Sequence, residues 1–150
     1  MKFVIQRVDK ASVTVENKIV GEISKGFLVL VGVCDTDTRE IADKMLGKML
    51  RLRIFADEND KTNLDLNSVN GELLIISQFT LYADCRKGNR PSFTKAGNPQ
   101  FANEMYEYIL EKCSEEVSHV ASGVFGEHMD ISLVNSGPFT IVLDSDEICR

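Results

Sequence analysis

The chain has no tryptophan, and only three prolines and two histidines among its 150 residues. No apolar run approaches the roughly 20 residues that a membrane helix needs, so no membrane partner is expected. The opening Met1-Lys2-Phe3-Val4-Ile5-Gln6-Arg7 is interrupted at Gln6 and Arg7 before a signal-peptide core can form. A cytoplasmic protein is the expectation. Cys34, Cys85, Cys113 and Cys149 make no C-x-x-C pair, which excludes zinc-finger spacing and favours reduced thiols. His119 and His128 lie outside any H-E-x-x-H frame, so no metal site is expected. There is no G-x-S-x-G elbow. Gly123 and Gly126 bracket Val124-Phe125 without a following Lys-Ser or Lys-Thr, so no phosphate loop forms. No cofactor is implied. Positive charge is also scarce: 17 basic residues against 23 acidic ones leave a net charge of −6, which argues against an extended nucleic-acid face. The exception is local. From Cys85 to Pro99 the chain carries Arg86, Lys87, Arg90 and Lys95 and no acidic residue.

What is present suits one domain over residues 1–150, with 43% hydrophobic and 27% charged residues. Phe3 to Val8 and Ser12 to Glu16 read as strands. Phe27-Leu28-Val29-Leu30-Val31 is a continuous apolar run, expected to be buried on both faces. A helix follows, with Asp37 and Glu40 as a capping box and Ile41, Met45, Leu46, Met49 and Leu50 as its inner stripe. Arg53-Ile54-Phe55 reads as a strand and Asp57 to Lys61 as a polar turn. Asn70-Gly71 signals a hairpin leading into the buried strand Glu72 to Ile76, which alternation carries on from Ser77 to Tyr82. Asn98 as N-cap and Pro99 at the first position open a second helix, with Phe101, Met105, Ile109 and Cys113 (or Tyr108) facing inward. Strands over His119 to Ser122, Met129 to Val134 and Phe139 to Leu143 follow, then a frayed acidic tail from Asp144 to Glu147. The order gives an α+β fold: one strand-rich, barrel-like mixed sheet with two amphipathic helices packed on it.

Two segments carry the chemistry. Asn135-Ser136-Gly137-Pro138-Phe139-Thr140 sets a Gly-Pro step between two strand-like runs, where proline disfavours a mid-sheet place and a tight turn is the natural expectation. An X-Pro bond also takes the cis form at low cost, and two carbonyls aimed one way would make a side-chain-free acceptor for an ammonium group. Ser77-Gln78-Phe79-Thr80-Leu81 puts Gln78 and Thr80 on one strand face after an apolar run, where polar groups need a partner or a pocket.

Together these segments resemble the D-aminoacyl-tRNA deacylases of the bacterial type, with S-Q-x-x-L and N-x-G-P-x-T forming one active site. Ile5-Gln6-Arg7-Val8, Ala11 to Val15, Arg53-Ile54-Phe55 and Arg90-Pro91-Ser92-Phe93 extend the likeness over essentially the whole chain. Ser136 stands where Asp is frequent in that family, and Phe139 where Val is frequent. The resemblance implies hydrolysis of the ester of D-aminoacyl-tRNA, sparing L-aminoacyl-tRNA, with glycyl-tRNA as a side substrate. It implies catalytic roles for Ser77, Gln78 and Thr80. It implies substrate binding by Arg7, Phe79, Met129, Asn135, Gly137 and Pro138, with Arg7 bracing the Gly-Pro element. It further implies a homodimer in which Gly137 and Pro138 enter the active site of the other subunit, and a partner in the aminoacylated 3′ end of tRNA. Thr80 is either a nucleophile or a positioning group; the second is preferred because a threonine hydroxyl needs a base and the sequence names none nearby. A non-catalytic nucleic-acid-binding homodimer of the same fold is the alternative.

Overall fold

The structure, a computed structural model, describes residues 1–150. Its spine is β1 (Lys2–Val15), one unbroken 14-residue strand where the sequence suggested two. The first half of β1 pairs antiparallel with β3 (Gly26–Gly32), and the second half with β2 (Lys18–Ile23). Its other edge pairs along almost its full length with β8 (Asp130–Asp144). Helix α1 (Arg39–Leu50) and a small hairpin of β4 (Phe55–Ala56) and β5 (Thr62–Leu64) come next. Strand β6 (Glu72–Ser77) then joins β3 in parallel, and β7 (Val120–Ser122) joins β6 in parallel. Helix α2 (Pro99–Glu116) supplies the crossover to β7, and α3 (Ser145–Ile148) closes the chain. The sheet order is β2-β1-β3-β6-β7, with β8 on the outer edge of β1. Its ends curl toward each other: a Cβ on Gly21 of β2 would lie 2.8 Å from the Ser122 carbonyl of β7, and His119 Nε2 sits 2.9 Å from the Glu22 carbonyl. The barrel is therefore nearly closed.

This curvature explains the continuous apolar runs. Phe27, Val29, Val31, Leu73 and Ile75 face the helices in a 24-residue core. Leu28, Leu74 and Ile76 face inward to a second core with Val8, Ala11, Val13 and Ile23. A strand covered on both sides has no polar face to alternate with. Helix α1 buries Ala42, Met45, Leu46, Met49 and Leu50, leaving Ile41 at the margin. Helix α2 buries Ala102, Met105, Tyr106, Ile109 and Cys113, so the inward tyrosine is Tyr106, whose hydroxyl donates to the Ile75 carbonyl at 2.6 Å.

Several local expectations are corrected. Thr38, not Asp37, caps α1, its hydroxyl accepting from Ile41 N–H at 3.2 Å. Asp37 is instead buried against the Met1 ammonium at 2.7 Å. The acidic tail is ordered as α3, capped by Asp144, with buried Ser145 accepting from the Met1 ammonium. Asn70-Gly71 is no hairpin: Asn70, at φ 50°, ends a 3₁₀ turn over Asn67–Val69 ahead of a parallel strand. The strand β6 stops at Ser77, and Phe79–Tyr82 forms a second 3₁₀ turn rather than continuing the alternation.

Candidate active site

The end of β6 opens into a cavity of about 760 Å³. One wall is Ile76, Ser77, Gln78 and Phe79; another is Asn98, Pro99 and Ala102 at the start of α2. Phe93, Thr94 and Gly97 border it from the long loop, and Phe125 to Met129, with Ile131, complete it. The location follows from the fold, since a parallel strand must hand its chain to a loop at its C-terminal end. Asn98 shapes the junction: its side chain accepts from Gln100 N–H at 3.0 Å, while its own N–H donates to Asp35 at 2.7 Å.

Gln78 and Thr80 do meet, by a route the sequence did not reveal. The turn after Ser77 brings the Gln78 amide to donate to Thr80 Oγ1 at 2.6 Å. An amide cannot take a proton from that hydroxyl. The first bond of the 3₁₀ turn runs from Leu81 N–H to the Gln78 carbonyl at 3.3 Å, so the N–H groups of Phe79 and Thr80 precede it. Phe79 is 55% exposed and stands edge-on to Phe93, their rings 5.1 Å apart. Two aromatic rings thus mark the cavity rim.

The Gly-Pro segment is elsewhere. Between Gln6 and Val8 of β1 there is one residue, Arg7, whereas four residues separate their partners Thr140 and Asn135. Ser136 to Phe139 therefore bulge out of the ladder within one long strand, rather than forming the turn that the proline suggested. The Gly137-Pro138 bond is cis, and both residues are exposed. Arg7 holds the bulge from beneath. Its Nε and Nη2 donate to the Ser136 carbonyl at 3.0 and 2.8 Å, its Nη1 to the Ile54 carbonyl at 2.6 Å, and its guanidinium lies 4.7 Å from the Phe139 ring centre. Asn135 pins the bulge from inside, accepting from Phe139 N–H at 2.6 Å and donating to Thr140 Oγ1 at 3.0 Å.

Within one chain the expected site residues thus fall into two groups. Ser77, Gln78, Phe79 and Met129 line the cavity, with Thr80 hydrogen-bonded to Gln78. Arg7, Asn135, Gly137 and Pro138 form the bulge and are not part of the lining. Sequence reasoning missed Asp35, Phe125, Glu127 and His128 on the cavity wall. The pair of glycines at 123 and 126 signals the loop that carries Phe125, Glu127 and His128, whereas Asp35 has no such local signal. The cavity wall holds two carboxylates, Asp35 and Glu127, and no lysine or arginine. Of the nearby cations, Arg86 and Lys95 both reach Asp84, at 2.6 and 3.7 Å, and Arg86 holds the Asp84 carboxyl well below its usual range.

Comparison with known proteins agrees with this fold. Residues 4–144 match the family model described as D-Tyr-tRNA(Tyr) deacylase. The chain is 50% identical over 147 residues to a D-aminoacyl-tRNA deacylase of Clostridioides difficile (strain 630), covering 98% of this chain and 99% of that one. It is 53% identical over 140 residues to the D-aminoacyl-tRNA deacylase of Haemophilus influenzae (strain 86-028NP), covering 93% and 96%. Among solved structures it resembles a c-Myc DNA unwinding element binding protein at TM-score 0.91 and 37% identity, over 96% of this chain and 98% of that one. A probable eukaryotic D-amino acid tRNA deacylase shares the fold at TM-score 0.79 and 17% identity, over 95% and 97%. With its segments, its sheet order and its relatives all in agreement, the chain belongs to the D-Tyr-tRNA(Tyr) deacylase family.

Proposed function

We propose that this chain, a D-aminoacyl-tRNA deacylase by family, uses residues 1–150 as one domain and excludes L-aminoacyl esters with its Gly137-Pro138 bulge. The observation that carries this is the division of the site. The cavity is lined by Ser77, Gln78 and Phe79, with the Phe79 and Thr80 N–H groups at the turn beside it, while the rigidly braced bulge stands exposed outside it. A second copy of the chain, inserting its bulge into the cavity, would complete the site across a homodimer interface. The carbonyls of Gly137 and Pro138 would then accept from the substrate's α-ammonium. A D side chain would point to solvent, and an L side chain would meet backbone. This is selection by exclusion, so it tolerates many side chains. Glycine has no side chain to exclude, which makes glycyl-tRNA a side substrate.

The aminoacyl ester is already activated, so positioning it and stabilising the oxyanion supply the main catalytic contributions. Ser77, Gln78 and the two N–H groups orient ester and water. Thr80 acts as a positioning group, because its partner is an amide rather than a base. Phe79 and Phe93 offer faces on which a terminal base can stack, and Lys87 and Arg90, the loop cations without a carboxylate partner, suit phosphate. No helix is long and apolar enough to cross a membrane, which fits an enzyme working where tRNA is used.

The test is hydrolysis of D-tyrosyl-tRNA beside L-tyrosyl-tRNA at low enzyme concentration. Loss of the D ester alone is expected, and equal loss of both would remove the role given to Gly137 and Pro138. A second possibility is a non-catalytic nucleic-acid binder, favoured only by the likeness to the c-Myc DNA unwinding element binding protein at 37% identity. Binding of tRNA without turnover of either ester would select it.

A further inference from the structure

Gly123 follows β7, and Met129 immediately precedes β8, so the loop between them doubles back beside the cavity. Gly126 in that loop adopts φ 81°, which favours glycine, but Gly123 lies outside the left-handed region. Its need for glycine is a matter of space. A Cβ built on Gly123 would overlap Met129 Sδ and come within 3.2 Å of Ile76 Cδ1. Met129 and Ile76 line the cavity, while Gly123 does not. Gly123 therefore lies behind Met129 as seen from the cavity. On the closed side Met129 packs against the smaller core of Val8, Ala11, Val13, Ile23, Leu28, Leu74 and Ile76.

From this we infer that Gly123 is a positioning residue: its bare α-carbon seats the Met129 thioether and thereby sets the depth of the cavity beside Ser77. A dense interior does not yield, whereas a methionine side chain does. An atom added at Gly123 thus drives the thioether toward the open side, into the space next to Ser77 where the substrate ester must lie. The inference rests on the deacylase assignment for its consequence, but not for its geometry.

Gly123→Ala is expected to lower kcat/KM on D-tyrosyl-tRNA by about tenfold, chiefly through kcat, as misplacement of a bound substrate does. Combining it with Met129→Ala is expected to raise kcat/KM severalfold above that of Gly123→Ala alone, because the displaced side chain is gone. A glycine needed only for folding would give losses that multiply. Wild-type kinetics in Gly123→Ala, or a double variant no better than the single, would overturn the inference. Independently of activity and of whether the variant folds, methyl nuclear Overhauser contacts in the wild type should join Met129 Cε to the Gly123 α-protons and the Ile76 δ-methyl. Their absence would also overturn it. If the wild type fails to cleave D-tyrosyl-tRNA, the deacylase assignment falls, and these contacts alone judge the seat.

Discussion

Two glycines near the site are glycine for different reasons: Gly123 for the space that Met129 fills, and Gly137 for its backbone conformation. Gly137 sits at φ 130°, where an L residue is strained, and a Cβ there would lie 2.7 Å from Arg7 Nη2. A side chain at 137 therefore dislodges the guanidinium that holds the Ser136 carbonyl. The reading of the Gly-Pro step as a side-chain-free acceptor did not anticipate this contact. Cys113 lies on the buried face of α2, and burial, with a smaller contribution from the Glu116 charge, pushes its thiol from 9.0 up to about 12. Burial likewise raises Tyr106 to about 12. A folded thiol that keeps its proton where the unfolded chain has lost it makes stability fall as pH rises. That stability is full below about pH 9 and is lost toward pH 12, at a rate approaching about 1.4 kcal/mol per pH unit. Urea denaturation at pH 8 and pH 10.5 should show this fall, and Cys113→Ala should flatten it. An equal slope in both proteins would assign the alkaline loss elsewhere.

Among the elements, α1 is the clearest case of a boundary that the sequence misplaced by one residue. Asp37, Thr38 and Glu40 all fit a helix start, and the pattern favours Asp37 because a cap side chain and a Glu three residues on can each accept from the other's backbone N–H. Asp37 is withdrawn from capping because it pairs with the Met1 ammonium and accepts from Cys34 N–H at 2.8 Å. Thr38 takes its place. Thr38→Ala should cost about 1 kcal/mol in chemical denaturation, the usual worth of such a cap, and leave kcat/KM unchanged. A loss of activity at unchanged stability would mean that Thr38 serves the site. The Gly-Pro segment shows the opposite error. Its proline was read as a turn because proline leaves a ladder hydrogen bond unmade. A bulge on an edge strand satisfies the same constraint without reversing the chain, and only the register with β1 separates the two.

For the molecule as a whole, the decisive feature is that cavity and bulge do not meet within one chain. If they meet between chains, two defective proteins should repair each other. Gln78→Ala leaves an intact bulge, and Gly137→Ala an intact cavity. Mixed and reassociated, they should recover about a quarter of the wild-type rate, since half of the dimers are mixed and each of those has one complete site. No recovery, with mixed dimers present by native mass spectrometry, would put both parts of the site in one subunit. The electrostatic layout suits the same division. A cavity with Asp35 and Glu127 and no lysine or arginine favours the cationic α-ammonium, while the surplus positive charge of the loop stays outside it.

The sequence by itself determined the family and the elements near which its motif residues lie. The apolar runs at 27–31 and 73–76 fixed the buried strands, because only strands covered on both faces lack a polar side. Asn98-Pro99 fixed the start of α2, because its capping chemistry is local. Ser77, Gln78 and Met129 could be singled out before any coordinates, and they line one cavity. The tertiary structure decided what local pattern cannot encode. A 3₁₀ turn, not strand alternation, brings Gln78 to Thr80; β1 register makes a bulge of Gly137-Pro138; and β7 and β8 place Gly123 behind Met129. The first is a local turn that strand-like alternation concealed, whereas the other two depend on contacts between separate elements, which no periodicity within one segment records.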